Sequence, residues 1–171
     1  YASGAIYGSC DDARHLAPMT ITLRTSGSST TGGTSITTAA ITPASGSVLL
    51  VHYGAGINSA TTLAANGVTS SHGTWANIRS QNHVATWGSL ITSYYVNNPT
   101  VTNAAITCNV SGGSPNRWEW HVFDITGQHA STPIGAADAG GTTALSSISL
   151  TLDATPASNS SCATCSACRS C

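Results

Sequence analysis

Residues 47–54 read SVLLVHYG, an unbroken apolar run from Val48 to Val51 held between Gly46 and Gly54. It is too short for a buried helix, and its glycine bounds and β-branched content mark it as a strand. Successive side chains of a strand point to opposite faces, so an unbroken run needs cover on both faces. The run is therefore expected at the centre of a sheet.

Outward from it the signals are also those of strands. MTITLRTS (19–26) alternates apolar Met19, Ile21 and Leu23 with polar Thr20, Thr22 and Arg24, the pattern of a half-buried strand. TSITTAAIT (34–42) follows the turn at Gly32-Gly33. TWANIRS (74–80), SLITSYYV (89–96), TVTNAAITCNV (100–110), RWEWHVFDIT (117–126) and LSSISLTLD (145–153) complete the series. Alternation places Ile106, Cys108 and Val110 on one face, with Thr107 and Asn109 on the other. It likewise sets Trp118, Trp120 and Val122 against Glu119, His121 and Phe123. No stretch has a convincing 3.6-residue apolar period, and helix formers such as Lys, Glu and Gln are nearly absent. The expectation is an all-β, antiparallel, jelly-roll-like β-sandwich over 19–153. An N-terminal arm (1–18), with apolar Ile6 and Tyr7, precedes it, and a Cys-rich tail (154–171) follows it.

The 171 residues suit one domain with a real core. Only 11 are charged; there is no lysine, and Glu119 is the sole glutamate. A net charge of −1 supplies no basic patch for phosphates, which disfavours nucleic-acid binding. No run of 18 apolar residues exists, so no membrane span is expected. Ser and Thr supply 50 of the residues, a profile common in secreted and surface proteins. The first residue is Tyr1, read here as a processed terminus or a fragment boundary. Six cysteines, an even number, fit an oxidising, extracellular compartment.

Four of those cysteines, Cys162, Cys165, Cys168 and Cys171, close the chain at three-residue intervals. Thiolates at such spacing can hold zinc or an iron–sulfur cluster. The ferredoxin pattern, however, has a wider last gap followed by proline, and Ser, Ala and Thr give a cluster little dry shell. Disulfides among these four, with Cys10 or Cys108, or with another chain are the favoured reading, and neither metal nor cofactor is expected. Six cysteines allow 15 pairings, so connectivity stays open.

SITTAAITPASGSVLLVHYGAG, GVTSSHGTWANI, LITSYYVNNPTVTNAAITCNV and WEWHVFDITG, in this order, resemble a recurrent β-sandwich domain. That domain is found in phage tail and head-fibre proteins and in secreted bacterial surface proteins. The resemblance covers roughly 19–153 and rests on core-packing patterns without catalytic residues. It implies a structural or adhesive role. Domains of that kind continue for several strands after the long loop at 127–144, whereas here one strand and the tail follow.

Glu119 and His121 share a strand face, with Asp124 nearby, so an acid–base pair is geometrically open to them. An exposed or interface pair beside Phe123 is the simpler reading. His15, His52, His72, His83 and His129 show no ligand spacing, and no nucleophile-elbow, zincin or phosphate-loop motif is present. Asp11-Asp12 and Asp138 are read as solvated loop charge in preference to a calcium site. Trp87, beside Gly88 in a turn, is the best candidate for stacking on a sugar ring. Asn109 and Asn159 begin N-glycosylation sequons. The expected function is thus a structural subunit of an extracellular filament, surface appendage or virion surface that associates with itself. A carbohydrate-binding or adhesive module that recognises glycans is the alternative. No enzymatic activity is expected.

Overall fold

The computed structural model describes residues 19–128 and 133–134. The N-terminal arm, the expected strand at 145–153 and the tail, with Cys10, Asn159 and the four tail cysteines, lie outside them. Eight strands follow one another: β1 (Thr20–Ser29), β2 (Ser35–Thr37), β3 (Val48–Ile57), β4 (Ala64–Thr69), β5 (Ala76–Val84), β6 (Gly88–Asn97), β7 (Thr107–Ser111) and β8 (Arg117–Thr126). They form a five-stranded sheet, ordered β1-β8-β3-β6-β5, and a three-stranded sheet, ordered β2-β7-β4. All pairings are antiparallel. The described chain is an all-β sandwich without helix.

The main core lies between the sheets. Leu49, Val51 and Tyr53 of β3, Leu90 and Tyr94 of β6, and Trp118 and Val122 of β8 meet Cys108 and Val110 of β7 and Val68 of β4. Burying aliphatic and aromatic side chains is worth about 1.5–3 kcal/mol each, and here it holds the two layers together. The Tyr53 hydroxyl adds a specific tie, donating across the core to the carbonyl of Asn109 in β7 at 2.9 Å. Its ring stacks on Tyr94 at 6.2 Å and lies tilted beside Trp118 at 6.4 Å.

The run at 48–51 is explained by a second cluster on the opposite face of the large sheet. Val48 and Leu50 point away from the main core and pack with Ile125, Phe123, Tyr95, Ile78, Met19 and Ile134. β3 is thus the middle strand of the large sheet and apolar on both faces at one end. That end, where Ile21, Ile125, Val48 and Asn97 lie side by side in register, is called the lower end below.

Several expectations are corrected. The segment at 19–26 is not half-buried: Ile21 is 40 % and Leu23 52 % exposed. Among the described residues β1 is an edge strand, and a bulge between Leu23 and Thr25 inserts Arg24 and switches the alternation. Thr25, Gly27 and Ser29 consequently take the inward positions, and Ile21 and Leu23 the outward ones. The Thr-rich stretch at 34–42 is ladder only over Ser35–Thr37, because the Thr38 side chain intervenes. Thr38 Oγ1 accepts from the backbone N–H of Ile106, and pairing resumes at Ile41 with Ala104. For the same reason 100–110 is regular only from Thr107. β4 is an addition to the expected strands: it carries a bulge at Asn66-Gly67, with Gly67 at a φ of 83° and the register shifted between Ala65 and Val68. β5 starts at Ala76 and runs on to Val84.

Candidate functional site

Polar residues gather on the outer face of the large sheet. Cross-strand register sets Ser26, His121, His52, Ser93 and Arg79 in one row across all five strands. Below it stand Leu23, Phe123, Leu50 and Tyr95, then Ile21, Ile125 and Val48. Above it stand Ser28, Glu119, Gly54, Ile91 and Gln81. The face is therefore divided into an apolar lower half and a polar upper half, with histidines at the boundary.

Glu119 and His121 do share this face, as alternation requires. His121 Nε2 stands 3.9 Å from Glu119 Oε1, both side chains being partly exposed. The His121 ring stacks on Phe123 at 6.3 Å. Asp124 belongs to the other face; it is buried, and its Oδ2 accepts from the N–H of Ala44 at 2.7 Å. Sequence reasoning missed His52 and Ser93, whose Nδ1 and Oγ are 2.8 Å apart. Burial holds the His52 imidazole below its ordinary pKa; neighbouring His121 adds to this and Glu119 opposes it. Only the antiparallel register of β3 with β6 brings these two residues together, so no local motif announces them.

A Ser–His contact is the beginning of a nucleophilic site. Acyl transfer also needs donors aimed at an oxyanion, and in the middle of a sheet the backbone N–H groups are engaged in the ladders. Two clefts among the described residues lie elsewhere. One, of about 360 Å³, is lined by Ala64, Ala65, Asn77, Ser80, Asn82, Leu90 and Tyr94, between β4 and β5. The other, of about 420 Å³, is lined by Ser28, Ser29, Thr30, Arg117 and Trp118, beside β1. Among the described residues no three His, Cys, Asp or Glu side chains sit together as metal ligands.

The remaining candidates are dispersed. Trp87 occupies the turn between β5 and β6 and is 43 % exposed. Trp118 is buried, and Trp120 is partly buried against the main core. Cys108 is fully buried and has no disulfide partner among the described residues; burial pushes its thiol pKa up to about 12. Asn109 points away from the Cys108 face as expected, and its amide donates to the carbonyl of Gly67 at 3.3 Å. His72 is buried, with its ring nitrogens 3.3 and 3.2 Å from the carbonyls of Thr100 and Ala104, and so ties two loops together. Among the described residues no helix is long and apolar enough to cross a membrane. No family model, curated protein or solved structure matches the chain.

Proposed function

We propose that this jelly-roll-like sandwich is a structural subunit of an extracellular filament, surface appendage or virion surface, that it assembles through β-strand and disulfide contacts, and that it is not an enzyme. The observation that carries the reading is β1. It is a ten-residue strand at a sheet edge, with Ile21 and Leu23 exposed beside that edge. Such an edge is a template for pairing with another chain, and soluble monomers blunt it with lysine or proline. β1 contains neither; among the described residues it is modulated by its bulge and by Arg24, which donates to the carbonyl of Thr42. The arm at 1–18 enters the sandwich at Met19, at the lower end of this edge, and is the proposed donor to a neighbouring copy. A donor and an acceptor that differ make a heterologous contact, which repeats into a ring or filament.

Negative-stain imaging and sedimentation of the full chain test the reading. Large regular particles are expected, and they should be lost when residues 1–9 are deleted. A stable monomer at high concentration defeats it. Intact mass with and without reduction tests the disulfides: six alkylatable thiols before reduction, or stoichiometric zinc or iron, defeat that part. The glycan-binding alternative draws on the exposed ring of Trp87. It predicts a monomer retarded on a glycan column, with the retardation lost in Trp87→Ala.

A further inference from the structure

The two sheets are unequal, and the shortfall has a location. On the β1 side the small sheet stops at β2, which among the described residues pairs only with β7. The large sheet continues past it through β8 to β1. Beneath that overhang lie the inward positions Thr25, Gly27 and Ser29, the Trp120 ring against Gly27, and Ile36 of β2, which is only partly buried. The cleft beside Ser28–Thr30 opens at the upper end of the same strip. Trp118 and Trp120 each bury an indole N–H that has no acceptor among the described residues. Such donors normally find a partner, so their state points to a missing neighbour.

We propose that residues 145–153 of the same chain fill this strip as a fourth strand of the small sheet, antiparallel to β2. Three observations single out this occupant. The first is position. Ile134 packs on the outer cluster at the lower end, so the chain beyond it departs from there. The ten residues from 135 to 144 can span about 33 Å, whereas the sheets of a sandwich stand about 10 Å apart. The second is direction. β2 runs from the upper end to the lower, as its register with β7 and the bond from Asn116 N to Gly56 O show. A segment rising from the lower end meets β2 antiparallel, but it would meet the edges of β1 and β5 parallel. The third is polarity. Ile148, Leu150 and Leu152 fall on one face of the segment, with Ser147, Ser149 and Thr151 on the other. The edge of β4 has the right direction too, but its flank, although it includes Leu90 and Tyr94, presents polar Asn77, Ser80 and Asn82 of β5. The β2 flank offers the Trp120 ring and Ile36. This inference is independent of the assembly reading, and it leaves β1 and β5 as free edges. It also sets the start of the tail at the upper end, opposite Met19.

Hydrogen exchange of the full chain, followed by mass spectrometry, tests the proposal. Amides of 147–152 should exchange at least ~100-fold more slowly than in a free peptide, and Ser35–Thr37 should be protected with them. The double variant Ile148→Asp, Leu150→Asp should lose both protections and shift tryptophan emission to the red, while β3, β6 and β8 remain protected. Exchange of 147–152 at the free-peptide rate in the unaltered chain overturns the proposal, and that measurement needs no variant to fold. Protection of 147–152 without any effect of the variant on Ser35–Thr37 or on the emission assigns the segment to another edge and also overturns it. Protection that disappears on dilution, in step with disassembly, assigns the strip to a neighbouring copy and overturns the same-chain assignment.

Discussion

Gly27→Ala and Gly56→Ala are the same chemical change inside two strands, and the structure gives them opposite signs. A Cβ on Gly27 of β1 would stand 2.9 Å from Trp120 Cε2 and closer still to Cζ2, because the six-membered ring of the indole packs against the edge strand there. Carbon atoms pack at roughly 3.5–4.0 Å, so the ring or the strand must move by about 1 Å. Forcing one extra carbon into a packed site costs about 1–3 kcal/mol. Ala in place of Gly in a strand returns about 0.5–1 kcal/mol through the lower entropy of the unfolded chain. The net expectation is a loss of about 1–2 kcal/mol. For a domain of this size that corresponds to a fall in Tm of roughly 2–8 °C. At Gly56 of β3 the nearest atoms are Arg117 Cβ at 3.7 Å and the carbonyl oxygen of Gly88 at 4.0 Å, an ordinary contact. There the entropic gain is unopposed, and Tm should rise slightly. Thermal unfolding of the three proteins by circular dichroism, with tryptophan emission in parallel, measures both signs. If Gly27→Ala is as stable as the parent, or more so, Trp120 does not pack under β1 and the packing described for that edge is wrong.

Tyr53→Phe removes the hydroxyl that bridges the sheets to Asn109 and should cost about 0.5–1.5 kcal/mol in urea unfolding; an unchanged midpoint means the tie contributes nothing. His52 titrates below its ordinary 6.5 in the folded state, so the unfolded chain binds its proton more readily. Its contribution is fully present above pH 6.5 and is lost as pH falls from there toward the folded value. His52→Asn should therefore show a shallower fall in Tm between pH 7 and 5 than the parent, and equal slopes contradict the burial argument. Cys108, with its thiol pushed up to about 12 inside the core, should resist iodoacetamide in the folded, reduced protein and react after unfolding, as peptide mapping can follow. Ready labelling of Cys108 under native conditions is inconsistent with its place between the sheets. Glu119→Ala should change stability by less than about 1 kcal/mol, since its 3.9 Å contact with His121 is partly exposed; a larger loss would mean that this face is covered.

Much of the fold is legible in local pattern, because alternation is a property of the backbone itself. It places Trp118 and Val122 inward and Glu119, His121 and Phe123 outward, and β8 spans the ten residues read as a strand. It also marks β3 as central: only a strand with cover on both sides can hold Val48 to Val51 out of water. Cys108 follows the same rule. Alternation does not say which face of a strand will be covered, or by what. Ile21 and Leu23 read like core residues, yet they stand exposed because β1 is an edge and Arg24 resets its parity. β4 was invisible because a glycine bulge and a turn have the same local composition. His52 and Ser93, 41 positions apart, meet through register alone. The unequal sheets, and the strip beside β2 that follows from them, are likewise decided by strand order. Local pattern thus settles which side chains share a face wherever a strand carries no bulge. Which faces are buried and which distant residues touch follow from pairings between segments far apart in the chain, and no local pattern encodes those.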